Sequence, residues 1–364
     1  MLFMKSTSFA KVFRRFLSNK RITLPSSEKV IVLHSHHNNP YLNLAYENWM
    51  YENLNLDSHD VLYFWQNVPC VVIGRHQNPW LECDLQYLSE NGISLARRLS
   101  GGGTVFHDLG NLNITFMTNS LNYNRKGNLK CIAEALSKQW NNLDICLSPR
   151  DDLVVKGIFK ISGSAAKLGK YSSYHHCTLL CDANLEMLNK AIMPRDIVSH
   201  SRATASVSSH VKNLKDLEPS INVDDIITSI AQTYTNDHQT PHIHSMDIFE
   251  DDISEIHQME KELSTWEWIF GKTSPFTITK SIPLSSGTDA RIDLLIQSGH
   301  VKNVSIHPST LFEDEINKYL GGIEFKSSTL SKAVGLCFDK CREFQDHKLK
   351  DDYREILMTI SKII

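Results

Sequence analysis

Two periods of apolar residues alternate along the chain. Residues 29–33 (KVIVL) and 61–65 (VLYFW) are short unbroken apolar runs, which predicts buried strands. Between them Leu42, Ala45 and Trp49, with Tyr46 and Met50, recur at i+3/i+4 spacing and predict a helix over 41–55 with an inward stripe. CVVIGR (70–75) predicts a strand running into a loop at His76-Gln77-Asn78-Pro79; a short helix follows at 84–90, and a strand at 93–98 ends on Gly101-Gly102-Gly103. TVFHD (104–108) and NLNITF (111–116) flank a turn at Leu109-Gly110. An amphipathic helix at 128–142, strands near 152–156, 158–163 and 174–181, and helices near 184–191 and 223–235 complete a first unit. The stretch 236–252 has little periodicity and reads as a linker. Beyond it come a helix at 254–264, strands near 275–282, 290–297 and 301–306, and helices near 311–320, 328–342 and 351–361. The pattern predicts a larger mixed α/β unit over 28–250 and a smaller α+β unit over 251–364.

Composition changes this picture mainly at the N-terminus. Residues 1–27 hold six basic residues and no acid, with Phe9, Val12, Phe13, Phe16 and Leu17 at helical spacing. That is the composition of a mitochondrial transit peptide cut near 18–28, with a disordered basic tail as the alternative. Without those six cations the remainder holds 32 basic against 41 acidic residues, a net of −9 that gives no global attraction for nucleic acid or acidic membranes. No stretch approaches the ~18 apolar residues of a spanning helix, so a soluble protein of the mitochondrial matrix is expected, as a monomer. The eight cysteines are scattered without a CxxC pair, which fits a reducing compartment. The sequons at Asn113 and Asn303 are then expected to stay unmodified.

Three segments carry candidate chemistry. Arg97-Arg98-Leu99-Ser100-Gly101-Gly102-Gly103-Thr104 sets three glycines after two arginines. Such a loop lets backbone N–H groups approach a ligand, and guanidinium binds carboxylate or phosphate. A tight hairpin with solvent-facing arginines would use the same residues. Neither the P-loop spacing nor GxGxxG is present. In Phe159-Lys160-Ile161-Ser162-Gly163-Ser164, small residues leave room for a ligand and Lys160 sits rigidly on a strand. In Tyr174-His175-His176-Cys177-Thr178-Leu179-Leu180-Cys181, adjacent residues of a strand face opposite ways, so the four His and Cys side chains do not converge on one ion. No metal is expected there, and His34, His36 and His37 read as a solvated strand end. What remains is a pocket of glycines, arginines and one lysine, suited to a ligand that is acyl at one end and anionic at the other.

RRLSGGGTVFHDLGNLNITF, FKISGSAAKLGKYSSYHHCTLL and TASVSSHVKNL together resemble the lipoate–protein ligase/lipoyltransferase family, most closely its animal mitochondrial branch. The likeness runs from about residue 30 to the C-terminal region, where WEWIFGKT (266–273) is similar to the opening of the family's accessory domain. It implies an α/β catalytic core like that of biotin and lipoate protein ligases, related to class II synthetases, with a small α+β C-terminal domain. It implies lipoyl-AMP as ligand, with no tightly bound cofactor. Carried over by position, the family's lysine falls on Lys160, taken as catalytic; its ligand-binding positions fall on Arg98, Ser100, Gly101, Gly102, Gly103, Phe106, Arg150, Thr178, Val207 and Ser209. Three positions depart from the bacterial ligases, which usually carry asparagine at Asp151, arginine at Lys167 and glycine at Cys177. A carboxylate at Asp151 would repel phosphates and puts ATP use in doubt.

The resemblance therefore implies an acyltransferase that moves a lipoyl group from lipoylated glycine-cleavage H protein, or lipoyl-AMP, to a lysine of 2-oxoacid dehydrogenase E2 lipoyl domains. The alternatives are an ATP-dependent lipoate–protein ligase, a non-catalytic protein that binds lipoyl domains, and, more remotely, biotin transfer.

Overall fold

The computed structural model describes residues 21–24, 28–193, 198–206, 209–236, 241–308, 312–340 and 345–364. The expected leader thus lies outside the described residues except at its end, 21–24. There Ile22 pairs with Leu54, and the Arg21 guanidinium bonds the Leu54 carbonyl and the Ser172 hydroxyl.

Six strands, β1 (Val30–His34), β2 (Asp60–Trp65), β6 (Asn111–Asn119), β10 (Ser164–Leu168), β11 (Ser172–Leu180) and β13 (Ile243–Ser245), form the central sheet in the order β10-β11-β6-β2-β1-β13. β1 runs parallel to both β2 and β13; the other pairings are antiparallel. Both faces are covered, which explains the unbroken apolar runs. Leu62 and Phe64 face helices Arg125–Gln139 and Val223–Thr235, while Val61, Tyr63 and Trp65 face helices Pro40–Asn53 and Ile253–Leu263. A second sheet, β4-β3-β5, consists of β3 (Cys70–Ile73), β4 (Ser94–Arg97) and β5 (Val105–His107); a third contains β7 (Ile145–Leu147), β8 (Leu153–Val155) and β9 (Phe159–Lys160).

Helix Pro40–Asn53 starts where expected, because Asn39 caps the amides of Tyr41 and Leu42 and Pro40 occupies the first turn. It departs from the expected single stripe: Asn43, Glu47 and Asn48 are buried along with the apolar residues, since helix Ile253–Leu263 covers the other side. Trp49 Nε1 donates to Glu255 and Asn39 to Glu260 across that contact.

The expected linker 236–252 is instead partly built into this unit. β13 extends the central sheet, and Met246 and Phe249 of the following 3-10 turn are buried in its core. The strand expected over 158–163 is also shorter, ending at Lys160; after Ser162-Gly163 the chain changes sheets and continues as β10.

The C-terminal unit is an antiparallel meander, β14 (Phe276–Pro283), β15 (Asp289–Gln297) and β16 (His300–His307), covered by helices Glu313–Leu320, Ser327–Lys340 and His347–Ser361. Ala290, Ile292, Leu294 and Ile296 alternate inward along β15. The two units interlock. β12 (His200–Ser201), a strand from the first unit, joins the edge of this sheet, and Trp80 inserts among Trp266, Phe270, Phe276 and Phe325. Among the described residues no helix is long and apolar enough to cross a membrane.

Candidate active site

A cavity of about 330 Å³ opens where the central sheet meets the glycine loop. Leu44, Trp65 and Val72 form its apolar part, and Arg125, Arg150, Lys160 and Asp152 gather charge in its wall. A second cavity of about 820 Å³ shares Thr104, Val105, Lys160, Gly163 and Thr178 with the first and adds Phe106, Leu188 and Ile192.

Lys160 stands at the border of the two. Its strand is held on both sides: β8 pairs Val154 with Lys160 on one edge, and on the other the Lys160 amide donates to His210 O and Lys212 N donates back to Lys160 O. The ammonium lies 3.0 Å from Asp152 Oδ1, both side chains being mostly buried. Opposite it, Gly163 N donates to Thr178 Oγ1 at 3.0 Å, so the small-residue turn is pinned to β11.

The glycine loop is shaped from behind. Arg98, buried, donates through Nη2 to the carbonyls of Gly101 and Gly103 at 2.7 Å each, and through Nη1 to Val72 O. Gly102 sits at φ +88°, where only glycine is unstrained. Gly74 packs so tightly beneath it that a Cβ would lie 2.2 Å from Gly102 O. Neighbouring Arg97 reaches the accessory unit, donating to Ile269 O and Thr273 Oγ1, while Trp268 Nε1 donates to Arg97 O. On the loop's far side Ser206 accepts from Thr104 N at 2.9 Å and bonds Glu82.

These contacts sort the sequence-derived residues. Lys160, Arg98, Gly102, Gly103, Arg150 and Thr178 line the first cavity; Phe106 and Ser209 line the second. Ser100 and Gly101 line neither and act within the loop. Val207 lies outside the described residues. Arg98 is not the free cation imagined for an anionic ligand, because its guanidinium is occupied by three carbonyls and the Ser100 hydroxyl. Asp151 likewise turns away: it adopts φ +56° and its carboxylate faces Lys126 at 3.8 Å. The carboxylate beside Lys160 is that of Asp152. Lys167 contacts Asn48 and the Tyr51 ring.

Several wall residues carry no local sequence signal. Arg125 begins a helix and bonds Asp151 O and Ser164 Oγ; Leu44 belongs to a helix stripe; His107, Asn113 and His176 sit on strands that read as core. Burial holds His107 neutral, down to about 3, beside Asn67. His176 and Cys177 face opposite sides of β11, His176 toward Glu47 and Cys177 into the helix-backed core. Burial pushes the Cys177 thiol up to about 12, which removes it as a nucleophile at neutral pH. The arrangement suits an acyl chain in the apolar part with its carbonyl and an attached anion at Lys160, Arg125 and Arg150.

Residues 39–235 match the family described as the lipoyl protein ligase A/B catalytic domain. The human mitochondrial lipoyl amidotransferase LIPT1 is 38% identical over 344 residues, covering 92% of each chain. Lipoate-protein ligase A of Bdellovibrio bacteriovorus is 32% identical, over 84% of this chain and 92% of that one. The crystal structure of Plasmodium falciparum LipL1 in complex with lipoate superposes with a TM-score of 0.59 at 25% identity, over 92% of this chain and 99% of that one.

Proposed function

This chain belongs to the lipoyl protein ligase A/B family and is a lipoyltransferase, and from that premise we propose a specific reaction for it. It moves a lipoyl group from lipoyl-AMP, or from the lipoyl-lysine of glycine-cleavage H protein, to a lysine of 2-oxoacid dehydrogenase E2 lipoyl domains. The observation that carries this reading is the amphiphilic cavity: apolar walls at Leu44, Trp65 and Val72 lead to Lys160, Arg125 and Arg150. Near full-length similarity to a protein named an amidotransferase supports the same direction.

The acyl chain lies along the apolar wall. The acceptor amine attacks the acyl carbonyl, and negative charge develops on its oxygen. The Lys160 ammonium, held by Asp152, stabilises that oxyanion and the departing phosphate oxygen of AMP. With a protein donor the leaving group is a lysine amine, which takes up the proton that the attacking amine loses. Arg125 and Arg150 orient the anionic end, and the glycine loop keeps the reacting groups in register.

A second reading, ATP-dependent ligation of free lipoate, is favoured by the similarity to bacterial ligases such as that of Bdellovibrio. Intact-mass analysis of an E2 lipoyl domain incubated with each donor separates the two. Acylation from lipoyl-AMP or lipoylated H protein, with none from lipoate plus ATP, is expected. Robust acylation from lipoate plus ATP alone would replace this reading with the ligase.

We place the protein in the mitochondrial matrix, on the basic leader and on the human relative's mitochondrial name. The contacts of Arg21 and Ile22 with the body favour a cut at or before Arg21. A fusion of residues 1–27 that stays cytosolic would overturn the placement.

A further inference from the structure

A chain of buried hydrogen bonds connects helix Pro40–Asn53 to the glycine loop. Thr115 Oγ1 donates to Glu47 Oε1 at 2.7 Å, and His176 Nδ1 lies 2.8 Å from the same oxygen. A carboxylate only accepts, so this contact places a proton on Nδ1. The Ser100 hydroxyl and Nε2 of that ring share a hydrogen bond at 2.8 Å. Ser100 Oγ in turn accepts from Arg98 Nε at 3.0 Å, and Arg98 Nη2 holds the carbonyls of Gly101 and Gly103. Burial works to raise the Glu47 carboxyl, and His176, Thr115 and Lys167 together more than offset it, leaving the carboxyl below the ordinary glutamate value.

Ser100, His176 and Glu47 follow the order of a hydrolase triad, which would make Ser100 a nucleophile. Three observations exclude that role. Ser100 is 1% exposed, it lines neither cavity, and its oxygen already accepts a hydrogen bond from a guanidinium. What the chain does reach is the loop backbone. Gly102 and Gly103 line the cavity, and their placement depends on the Arg98 guanidinium.

We propose that Glu47 is a positioning residue, which acts through His176 and Ser100 to orient Arg98 and so holds Gly101–Gly103 in the shape that receives the acyl-carbonyl end of the substrate. The proposal rests on the lipoyl-transfer reading for its catalytic consequence and on the hydrogen bonds alone for its structural one. Charge matters because a neutral residue in place of Glu47 weakens the bond to His176 and every contact that follows it.

The test uses the full chain with Ser100→Ala, Glu47→Gln and the double variant. Amide hydrogen exchange of the peptide spanning residues 99–104 should quicken at least tenfold in each single variant, with distant peptides unchanged. In transfer from lipoyl-AMP, kcat should fall ten- to a hundredfold in Ser100→Ala while KM stays within about threefold, because the apolar walls are untouched. The double variant should be no more than twofold slower than Ser100→Ala, since one cut already breaks the chain. Unchanged exchange in residues 99–104, or losses that multiply in the double variant, would overturn the relay. A wild-type protein that transfers nothing, with exchange altered as expected, would overturn the functional reading and leave the relay standing.

Discussion

Gly74→Ala tests whether the glycine loop needs its present position. The new Cβ would lie 2.2 Å from Gly102 O, whereas a close C···O contact is ~3.3 Å, so the loop must retreat by about 1 Å. Gly74 directly follows the buried strand β3 and its amide is fixed by Gln77 Oε1, so the loop is the part that moves. A misplacement of about 1 Å costs ~10²-fold in a reaction that depends on alignment. Overpacking adds a stability loss of about 1–3 kcal/mol, or roughly 2–12 °C in Tm for a unit of this size. The assay is single-turnover transfer from lipoyl-AMP at a temperature where the variant is fully folded, with Gly335→Ala as a control. Gly335 has no atom within 4 Å of an added Cβ and lies in a helix, where alanine gains about 1 kcal/mol. A folded Gly74→Ala protein that transfers within threefold of wild type would refute the claim that the loop's placement limits the rate.

Two further outcomes follow from charge. Burial holds His107 and His175 at about 3, far below the ordinary 6.5, so the unfolded chain binds two protons that the folded one refuses. Stability should therefore fall as pH drops from 6.5 toward 3, with a slope of up to about 3 kcal/mol per pH unit. Denaturant melts at pH 7.5, 6 and 5 check this, and His107→Gln should reduce the slope by about half; a flat profile would show that these rings titrate normally. Asp151→Asn should leave donor choice unchanged and transfer within twofold, because that carboxylate faces Lys126 and asparagine suits φ +56°. A gain of ATP-driven lipoylation in Asp151→Asn would restore Asp151 as the residue that discriminates against ATP.

Much of the fold was legible because it is periodic. The run at 61–65, the helix at 223–235 and the alternation over 290–297 appear as expected, and the strand expected over 70–75 is present but ends at Ile73. What escaped depends on contacts between distant segments. β13 is three residues of a histidine-rich stretch that become a strand only by pairing with β1, over 200 positions earlier. Trp80, just past the expected loop at 76–79, is packed in the core of the other unit. The site divides in the same way. The glycines and Lys160 stand out because their residue types are unusual for strand ends, whereas Leu44, Trp65 and His176 look like any core residue until the fold brings them to one cavity. Arg98 and Asp151 were legible as charges but not in direction, and direction decides what each one touches.

The central claim is that Lys160 supplies the electrostatic stabilisation for acyl transfer. Its most direct test is single-turnover transfer of the lipoyl group from saturating lipoyl-AMP to an E2 lipoyl domain, comparing wild type with Lys160→Ala. The account predicts a fall of ~10²–10³-fold in rate, as when an oxyanion donor is lost, measured at a temperature where the variant is fully folded because Asp152 loses its partner. A folded Lys160→Ala protein that transfers at the wild-type rate would contradict it.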